Sequence, residues 1–187
     1  MRVQKLVVAV TGATGAPLAY KTMQLLKDMG IEIHLVVSKW AKTTIELETD
    51  ISFDEFRQLA SKVYSSQDQA AAISSGSFPI DGMIVVPCSM KTLASIRVGL
   101  ADNLISRTAD VMLKEGRKVI LCVRETPLNT IHLENMLFLS KIGVHICPPM
   151  PAFYNNPESI EDILTHNAVR MLDLFGLSHE NAKRWKV

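Results

Sequence analysis

TGATGAPLAY, residues 11–20, directly follows the apolar run LVVAV at residues 6–10. An apolar run, a turn with two glycines and then a helical pattern are typical of the first strand, turn and helix of a parallel α/β sheet. Gly12 and Gly15 allow backbone N–H groups to point towards a phosphate at the start of the helix. The same glycines also fit a tight turn that binds nothing, so the stretch indicates a fold and leaves the ligand open.

Apolar and amphipathic segments alternate along the rest of the chain. Strand-like runs rich in β-branched residues occur at 5–10, 32–38, 82–88 and 118–123, with a weaker one at 143–147. Most are continuous, as expected for strands that are covered on both faces. Helical spacing is found around 18–26 and at 54–64, 102–116, 130–143 and 158–176. The sequence predicts an α/β protein with a three-layer, doubly wound parallel sheet, and a single domain over residues 1–187. The least regular segment, 65–79, is expected to be a loop over one edge.

Composition and charge exclude several classes of function. Hydrophobic residues make up 48% of the chain, charged residues make up 21%, and the formal net charge is +1. Such a balance predicts no partner among nucleic acids or anionic membranes. No apolar run approaches the roughly 20 residues of a membrane span, and the N-terminus has no signal-peptide pattern. We therefore expect a cytoplasmic protein.

The cysteines and histidines predict neither a disulfide framework nor a metal site. Cys88, Cys122 and Cys147 are scattered, form no CxxC pair and lie near the ends of apolar runs. The five histidines show no ligand spacing. We expect the cysteines to be small buried side chains and expect no bound metal.

Polar residues follow most of the predicted strands. In a parallel sheet, ligands bind beyond the carboxyl ends of the strands, so these residues are the candidates for a site. A helix is expected to open at Ser89, after the third predicted strand. The segments at the strand ends are 11–15, 38–39, 88–92, 124–127 and 148–154. Their hydroxyl, lysine and arginine side chains predict a rim that binds phosphate.

The details of the first turn disfavour NAD(P). A dinucleotide fingerprint has a third glycine where this chain has Leu18, and an acidic residue after the second strand where this chain has Ser38. No tyrosine is followed four residues later by lysine, so the catalytic pair of short-chain dehydrogenases is absent as well. The remaining alternatives are a different phosphate or a turn without a ligand.

Taken together, these segments resemble the UbiX-type flavin prenyltransferases. The similarity runs along essentially the whole chain, and the most specific motifs are PCSMKTLA (87–94) and RETPL (124–128) with HLENM (132–136). Further matching segments are TGATGA (11–16), VVSKWA (36–41), ETD (48–50), SGSFPIDGM (75–83), DNLISRTADVMLKE (102–115), PAFYNNP (151–157) and RW (184–185).

The resemblance implies a Rossmann-like or flavodoxin-like flavoprotein and a defined reaction. Family members join the dimethylallyl group of dimethylallyl monophosphate to N5 and C6 of reduced FMN, and the prenylated FMN serves a UbiD-type decarboxylase. The phosphate at the first turn would then be that of FMN. The resemblance also implies a homo-oligomer, a dodecamer, with sites assembled at subunit contacts.

The resemblance assigns roles to residues of this sequence. The residues that would bind FMN are Gly12, Ala13, Thr14, Ser38, Ser89, Met90, Lys91, Thr92 and Arg124. Those that would bind the prenyl phosphate are Ser75, Gly76, Lys114, Tyr154, Arg170 and Trp185. The catalytic set would be Thr14, Glu48 and Glu125.

The chemistry of an allylic monophosphate fits these residue types. The chain has no DDxxD motif for Mg²⁺, so the charge of the leaving phosphate would be met by Lys114, Arg170, Arg124 and Tyr154. Ring closure requires removal of the C6 proton, for which Glu125 is the candidate base. Thr14 stands where the family often has serine and keeps the hydroxyl for a proton relay.

Two alternatives remain open at this point. One is an FMN-dependent cysteine-type decarboxylase, which shares the flavin-binding segments but carries a catalytic histidine after the second helix. No histidine occurs between Lys39 and Pro79. The other is a non-catalytic flavin-holding subunit of an aromatic acid decarboxylase, which would not need residues for a prenyl phosphate.

Overall fold

The computed structural model describes residues 3–179. The strands in that part of the chain are β1 (Lys5–Val10), β2 (Glu32–Val37), β3 (Lys62–Ser65), β4 (Gly82–Cys88), β5 (Lys118–Val123) and β6 (His145–Ile146). The α-helices are α1 (Ala16–Asp28), α2 (Lys39–Glu48), α3 (Phe53–Arg57), α4 (Met90–Val98), α5 (Leu104–Lys114), α6 (Thr130–Lys141) and α7 (Ile160–Asp173). The single-domain prediction covers 1–187 and thus includes residues outside the described part.

The strands form one parallel sheet in the order β3-β2-β1-β4-β5-β6. The chain builds the sheet outward from β1 to β3, then crosses to β4 on the other side of β1 and continues outward to β6. The carboxyl ends of β1 and β4 therefore flank the point at which the strand order reverses. This is where doubly wound folds bind their ligands, and the predicted fold class is confirmed.

Both faces of the sheet are buried, as the continuous apolar runs predict. In β1, Leu6, Val8 and Val10 pack in one core cluster, while Val7 and Ala9 pack in the other. The first cluster includes side chains of α1, α2, α3 and α7, and the second includes side chains of α4, α5 and α6. These are the three predicted layers: helices, sheet, helices.

The prediction of one helix over 54–64 is wrong. A capping box between Ser52 and Glu55 starts α3, but this helix ends at Arg57, and residues 62–65 form the edge strand β3. The edge strand pairs with β2, and the hydroxyl of its Tyr64 lies 2.8 Å from Nδ1 of His34 on that strand. Pairing with a neighbouring strand outweighs helical spacing here. The sheet consequently has one strand more than the sequence predicts, and α2 was not among the predicted helices.

No helix in residues 3–179 combines the length and the apolar composition needed to cross a membrane.

Candidate functional site

Thr11 joins the two loops that flank the reversal of strand order. Its buried hydroxyl donates a hydrogen bond to the carbonyl of Pro87 at 2.7 Å and accepts one from the N–H of Ser89 at 2.8 Å. The segment after β1 and the segment after β4 are therefore held in a fixed relation. Any group bound between them meets a preorganised surface.

A cleft of about 430 Å³ opens at this edge of the sheet. Three helices begin at it, and each is capped by the side chain of the residue that precedes it: Ser38 for α2, Ser89 for α4 and Asn103 for α5. The lining residues are Thr11, Gly12, Ser38, Lys39, Trp40, Ser66, Gln67, Ser89, Lys91, Thr92, Ser95, Asn103, Ile105 and Ser106. Because helix N-termini carry partial positive charge and free N–H donors, their convergence favours an anion such as a phosphate.

Gly12 is required by a close approach between the loop after β1 and the first turn of α2. A Cβ added at Gly12 would lie 2.5 Å from Cβ of Trp40, well inside van der Waals contact. Trp40 is exposed and lines the cleft. Any larger residue at position 12 would displace the start of α2, and with it the Ser38 wall of the cleft.

We expect Gly12→Ala to weaken ligand binding in the cleft about tenfold to a hundredfold and to lower the free energy of unfolding by about 1–3 kcal/mol, because the new methyl group overpacks the contact with α2. FMN titration and denaturant unfolding measure the two effects. The double variant Gly12→Ala/Trp40→Gly, which lacks the Cβ that the methyl meets, should recover most of the lost stability. An unchanged stability of the single variant would contradict the argument.

Glu48 lies at the same edge, beside the predicted relay residue Thr14. Its Oε2 accepts hydrogen bonds from the N–H groups of Gly15 at 2.7 Å and Ala16 at 2.9 Å. The N-cap residue of α1 is Gly15, which has no side chain to accept a hydrogen bond from the first turn. The carboxylate of Glu48, at the end of α2, caps α1 instead. Glu48 therefore fixes the turn that carries Thr14, whose own side chain is exposed.

Arg124 and Glu125 follow β5 at the carboxyl edge. The N–H of Arg124 donates to the carbonyl of Cys88 at 3.1 Å, so the segment runs beside the end of β4. Oε1 of Glu125 accepts from the N–H of Thr126 at 3.0 Å, and both side chains are exposed. Neither residue lines the cleft, but both stand on the same edge of the sheet as the cleft.

Ser75, Gly76 and Lys114 lie at the opposite edge of the sheet, where Gly76 comes close to the side chain of Lys114. A Cβ added at Gly76 would lie 2.8 Å from Nζ of Lys114, which pairs with Glu115. Lys114 ends α5, whose first residues line the cleft. At 1.5 Å per residue, the helix separates Lys114 from the cleft by about 15 Å. The three residues thus form a polar group near the amino ends of β4 and β5, away from the cleft.

Tyr154 and Arg170 meet through His166, beside the edge strand β6. The Tyr154 hydroxyl lies 3.3 Å from Nε2 of His166, and their rings pack edge to face. Arg170 follows one turn later on α7 and donates to Asp173 at 2.8 Å. Burial, with a smaller contribution from the charge of Arg170, lowers the pKa of His166. The imidazole is therefore neutral at neutral pH and can hydrogen-bond the phenol as donor or acceptor.

The predicted residues therefore fall into three regions of one chain. Those assigned to FMN and to catalysis share the carboxyl edge, where Ala13 and Met90 flank the cleft-lining residues on the loop after β1 and in the first turn of α4. Those assigned to the prenyl phosphate do not come together, because Lys114 and Arg170 belong to helices on opposite faces of the sheet. Trp185 lies outside the described residues.

Several residues of the cleft were not predicted. Ser66 and Gln67 line the cleft because they follow the carboxyl end of β3 at Ser65. Since the sequence predicts a helix in place of β3, it gives no reason to expect them there. Asn103 could have been found, since an asparagine directly before a helical pattern is an N-cap signal. Outside the cleft, His166 could also have been found, since it lies four residues before Arg170 on one face of α7.

The sequence predicts three buried cysteines, and the prediction holds for two of them. Cys88 and Cys122 are buried and Cys147 is half-buried. Burial raises the pKa of the Cys88 thiol to about 12 and also raises the pKa of the other two thiols. All three therefore remain protonated and poorly nucleophilic at neutral pH.

A doubly wound sheet with a cleft at its reversal point, whose described lining residues include no acidic residue for a second ribose, is the arrangement expected of a mononucleotide-binding protein such as a flavoprotein. The model of the Flavoprotein family matches residues 1–170. The chain is 61% identical over 183 residues to a probable UbiX-like flavin prenyltransferase of Escherichia coli, with 97% of this chain and 93% of that protein covered.

Two solved structures agree with this relationship. A dodecameric FMN-dependent UbiX-like decarboxylase from Escherichia coli O157:H7 has a TM-score of 0.97 at 60% identity, over 98% of this chain and all of the other (100%). A UbiX protein in complex with FMN and dimethylallyl pyrophosphate has a TM-score of 0.97 at 54% identity, over 100% of this chain and 99% of the other. The chain belongs to the Flavoprotein family, as one of its UbiX-like flavin prenyltransferases, and the resemblance seen in its sequence is confirmed.

Proposed function

We propose that this protein transfers the dimethylallyl group of dimethylallyl monophosphate to reduced FMN, forming bonds at N5 and C6 and releasing phosphate. The product is prenylated FMN, made without a metal ion. The observation that carries the proposal is the cleft at the reversal point, where three helix N-termini converge and Ser38 stands in place of an acidic residue. Helix N-termini favour a phosphate, and a serine in place of the acidic residue disfavours the second nucleotide half of NAD(P), so these features support a mononucleotide in the cleft.

FMN fits the cleft in volume and in chemistry. About 430 Å³ is within the range of pockets that hold small ligands. The N–H groups in the first turn of α4 and the ammonium of Lys91 can donate to a phosphate, and Trp40 offers an aromatic surface at the opening. Reduced FMN, when bound, supplies the nucleophilic N5 and C6 atoms. The residues that would hold it are Gly12, Ala13, Thr14, Ser38, Ser89, Met90, Lys91, Thr92 and Arg124.

The protein's own side chains would meet the charge and move the proton. Lys114 and Arg170 offer cations and Tyr154 offers a hydroxyl to the departing phosphate. Glu125 would accept the C6 proton, and its neighbours at the carboxyl edge are Thr14 and Glu48. Since Glu48 caps α1 through Gly15 and Ala16, we assign it the task of orienting the Thr14 hydroxyl.

The distance between the residues assigned to FMN and those assigned to the prenyl phosphate supports a site shared between subunits. The FMN cleft is at the carboxyl edge of the sheet, whereas Ser75, Gly76 and Lys114 are near the amino ends of β4 and β5. One chain cannot bring both groups of residues to the same FMN and dimethylallyl phosphate. The residues that bind the prenyl phosphate in one subunit would therefore complete the FMN cleft of another subunit. Exposed apolar side chains on α6, among them Ile131, Leu133 and Leu137, offer surface for such contacts. We propose a homo-oligomer, a dodecamer like its relative of known structure.

The recipient of the product and the place of the reaction belong to the same proposal. Prenylated FMN made by this protein would serve a UbiD-type decarboxylase acting on an aromatic acid. The reaction would take place in the cytoplasm, as the sequence predicts.

Mixing the protein anaerobically with reduced FMN and dimethylallyl phosphate tests the activity. We expect the flavin to gain the mass of one isoprene unit, with release of one phosphate and a changed flavin absorbance. A non-catalytic flavin-holding subunit would return FMN unchanged, and a cysteine-type decarboxylase would instead release CO₂ from a peptide ending in cysteine. Tighter binding of NADPH than of FMN in parallel titrations would contradict the assignment of the cleft.

A further inference from the structure

The loop that carries Ser75 and Gly76 is held by an arginine that no part of the proposed reaction uses. Arg117 lies in the turn between α5 and β5. Its Nη1 donates to the carbonyl of Phe78 at 2.9 Å, and its Nη2 donates to the carbonyl of Gly76 at 2.7 Å. The contacts are partly buried and bridge 39 and 41 residues of chain. A planar fork with two donors fixes both the position and the orientation of the loop.

A second contact, made by the side chain of Phe78, also holds this loop. The ring of Phe78 packs edge to face on the ring of His34, with centroids 5.4 Å apart. His34 is buried on β2, and its two ring nitrogens lie 2.8 Å from the Tyr64 hydroxyl and 2.9 Å from Oε1 of Glu32. The histidine therefore gives the Phe78 ring a fixed support, while Arg117 binds the backbone of the same loop.

This loop lies close to the side chains of Lys114 and Glu115. A Cβ added at Gly76 would meet the carboxylate of Glu115 and the ammonium of Lys114, which are the ends of two flexible side chains. The hydroxyl oxygens of Ser75 and Ser77 lie 2.9 Å apart on the same turn. If the Ser75 hydroxyl and the Lys114 ammonium bind one phosphate, a shift of this turn by about 1 Å would misplace the hydroxyl, and misplacements of that size can reduce catalytic efficiency about a hundredfold.

We propose that Arg117 is a positioning residue for the phosphate of dimethylallyl phosphate: it acts through the loop 75–78, which it holds against Lys114, and does not touch the substrate itself. This inference rests on the proposed function, because the assignment of Ser75, Gly76 and Lys114 to that phosphate does.

Arg117→Gln removes the fork and the charge, whereas Arg117→Lys keeps the charge and loses the fork. In Arg117→Gln we expect the KM and the Kd for dimethylallyl phosphate to rise about tenfold to a hundredfold, with kcat changed less than about threefold and FMN affinity unchanged. Arg117→Lys should recover only part of the affinity. Arg57→Gln is the matched control, since Arg57 is exposed and pairs with Asp54 within α3; it should behave as wild type.

Hydrogen exchange of the peptide spanning 72–80 gives a readout that does not depend on turnover. Arg117→Gln should exchange faster in this peptide and at wild-type rates elsewhere. Unchanged exchange together with unchanged substrate affinity would overturn the proposal. Faster exchange with unchanged affinity would leave Arg117 a purely structural residue, and an equal loss of FMN binding would mean a general defect; both outcomes overturn the positioning role. If the wild-type protein makes no prenylated FMN, the proposed function fails. The role of Arg117 is then tested separately by the Kd for dimethylallyl phosphate, measured by calorimetry for the wild type and Arg117→Gln.

Discussion

Two variants that are each inactive should regain activity when they share one oligomer. Ser89→Asp keeps a side-chain acceptor for the N-cap of α4 but places a carboxylate where the FMN phosphate is expected to bind. Lys114→Glu reverses the charge offered to the prenyl phosphate at the other edge of the sheet. If these residues serve one site from different subunits, about one site in four of a random one-to-one mixed oligomer has both wild-type halves.

The measurement is the rate of prenylated FMN formation by oligomers that are co-expressed with two different tags and purified through both. We expect about a quarter of the wild-type rate per site from the mixture and almost none from either variant alone. Ser89→Asp combined with Ser38→Asp is the control, because both substitutions block the same cleft. That pair should stay inactive in every mixture.

Two results would contradict the shared site. An inactive mixture of Ser89→Asp with Lys114→Glu would mean that both residues serve the same chain's site. Full activity of Lys114→Glu by itself would remove Lys114 from the prenyl-phosphate site, and with it the reason to place Ser75 and Gly76 there.

All five predicted strands are present, including β6 within the weaker run 143–147, and four of them have a strong physical signal. β1, β2, β4 and β5 are buried on both faces, and only continuous β-branched runs satisfy that environment. β3 has four residues, mostly exposed, at the edge of the sheet. Its strand conformation comes from pairing with β2, a contact that local spacing does not encode.

The cleft could be located from the sequence because strand direction alone determines it. The carboxyl ends of parallel strands meet at one edge, so Gly12, Ser38 and Ser89 had to be neighbours. The separation of Lys114 from them follows from the direction of α5, which runs back along the sheet. The capping of α1 by Glu48 depends on the orientation of α2 relative to α1, and the sequence carries no signal for that orientation.

Glu125→Gln should slow formation of the four-ring product by about 10²–10⁴, the usual contribution of general acid–base catalysis. The glutamine keeps the size of the side chain and an oxygen that can still accept the N–H of Thr126, so the segment after β5 should keep its shape. What it loses is the ability to accept the C6 proton. Since this proton leaves after the first bond forms, both substrates should bind normally and flavin carrying a single bond to the prenyl group should accumulate. Anaerobic single turnover with rapid-quench mass spectrometry and flavin absorbance measures both species.

Arg124→Ala is the matched neighbour and should fail at an earlier stage. Arg124 is assigned to FMN binding and lies beside the end of β4 through its bond to Cys88, so its loss should weaken FMN binding and leave no singly bonded flavin. The two adjacent substitutions thus separate binding from proton transfer on one exposed segment. Ring closure at the wild-type rate in Glu125→Gln would remove Glu125 from the catalytic set. The proton would then have to leave through Thr14, held in place by the contact of Glu48 with Gly15 and Ala16, and Glu48→Gln would become the slow variant.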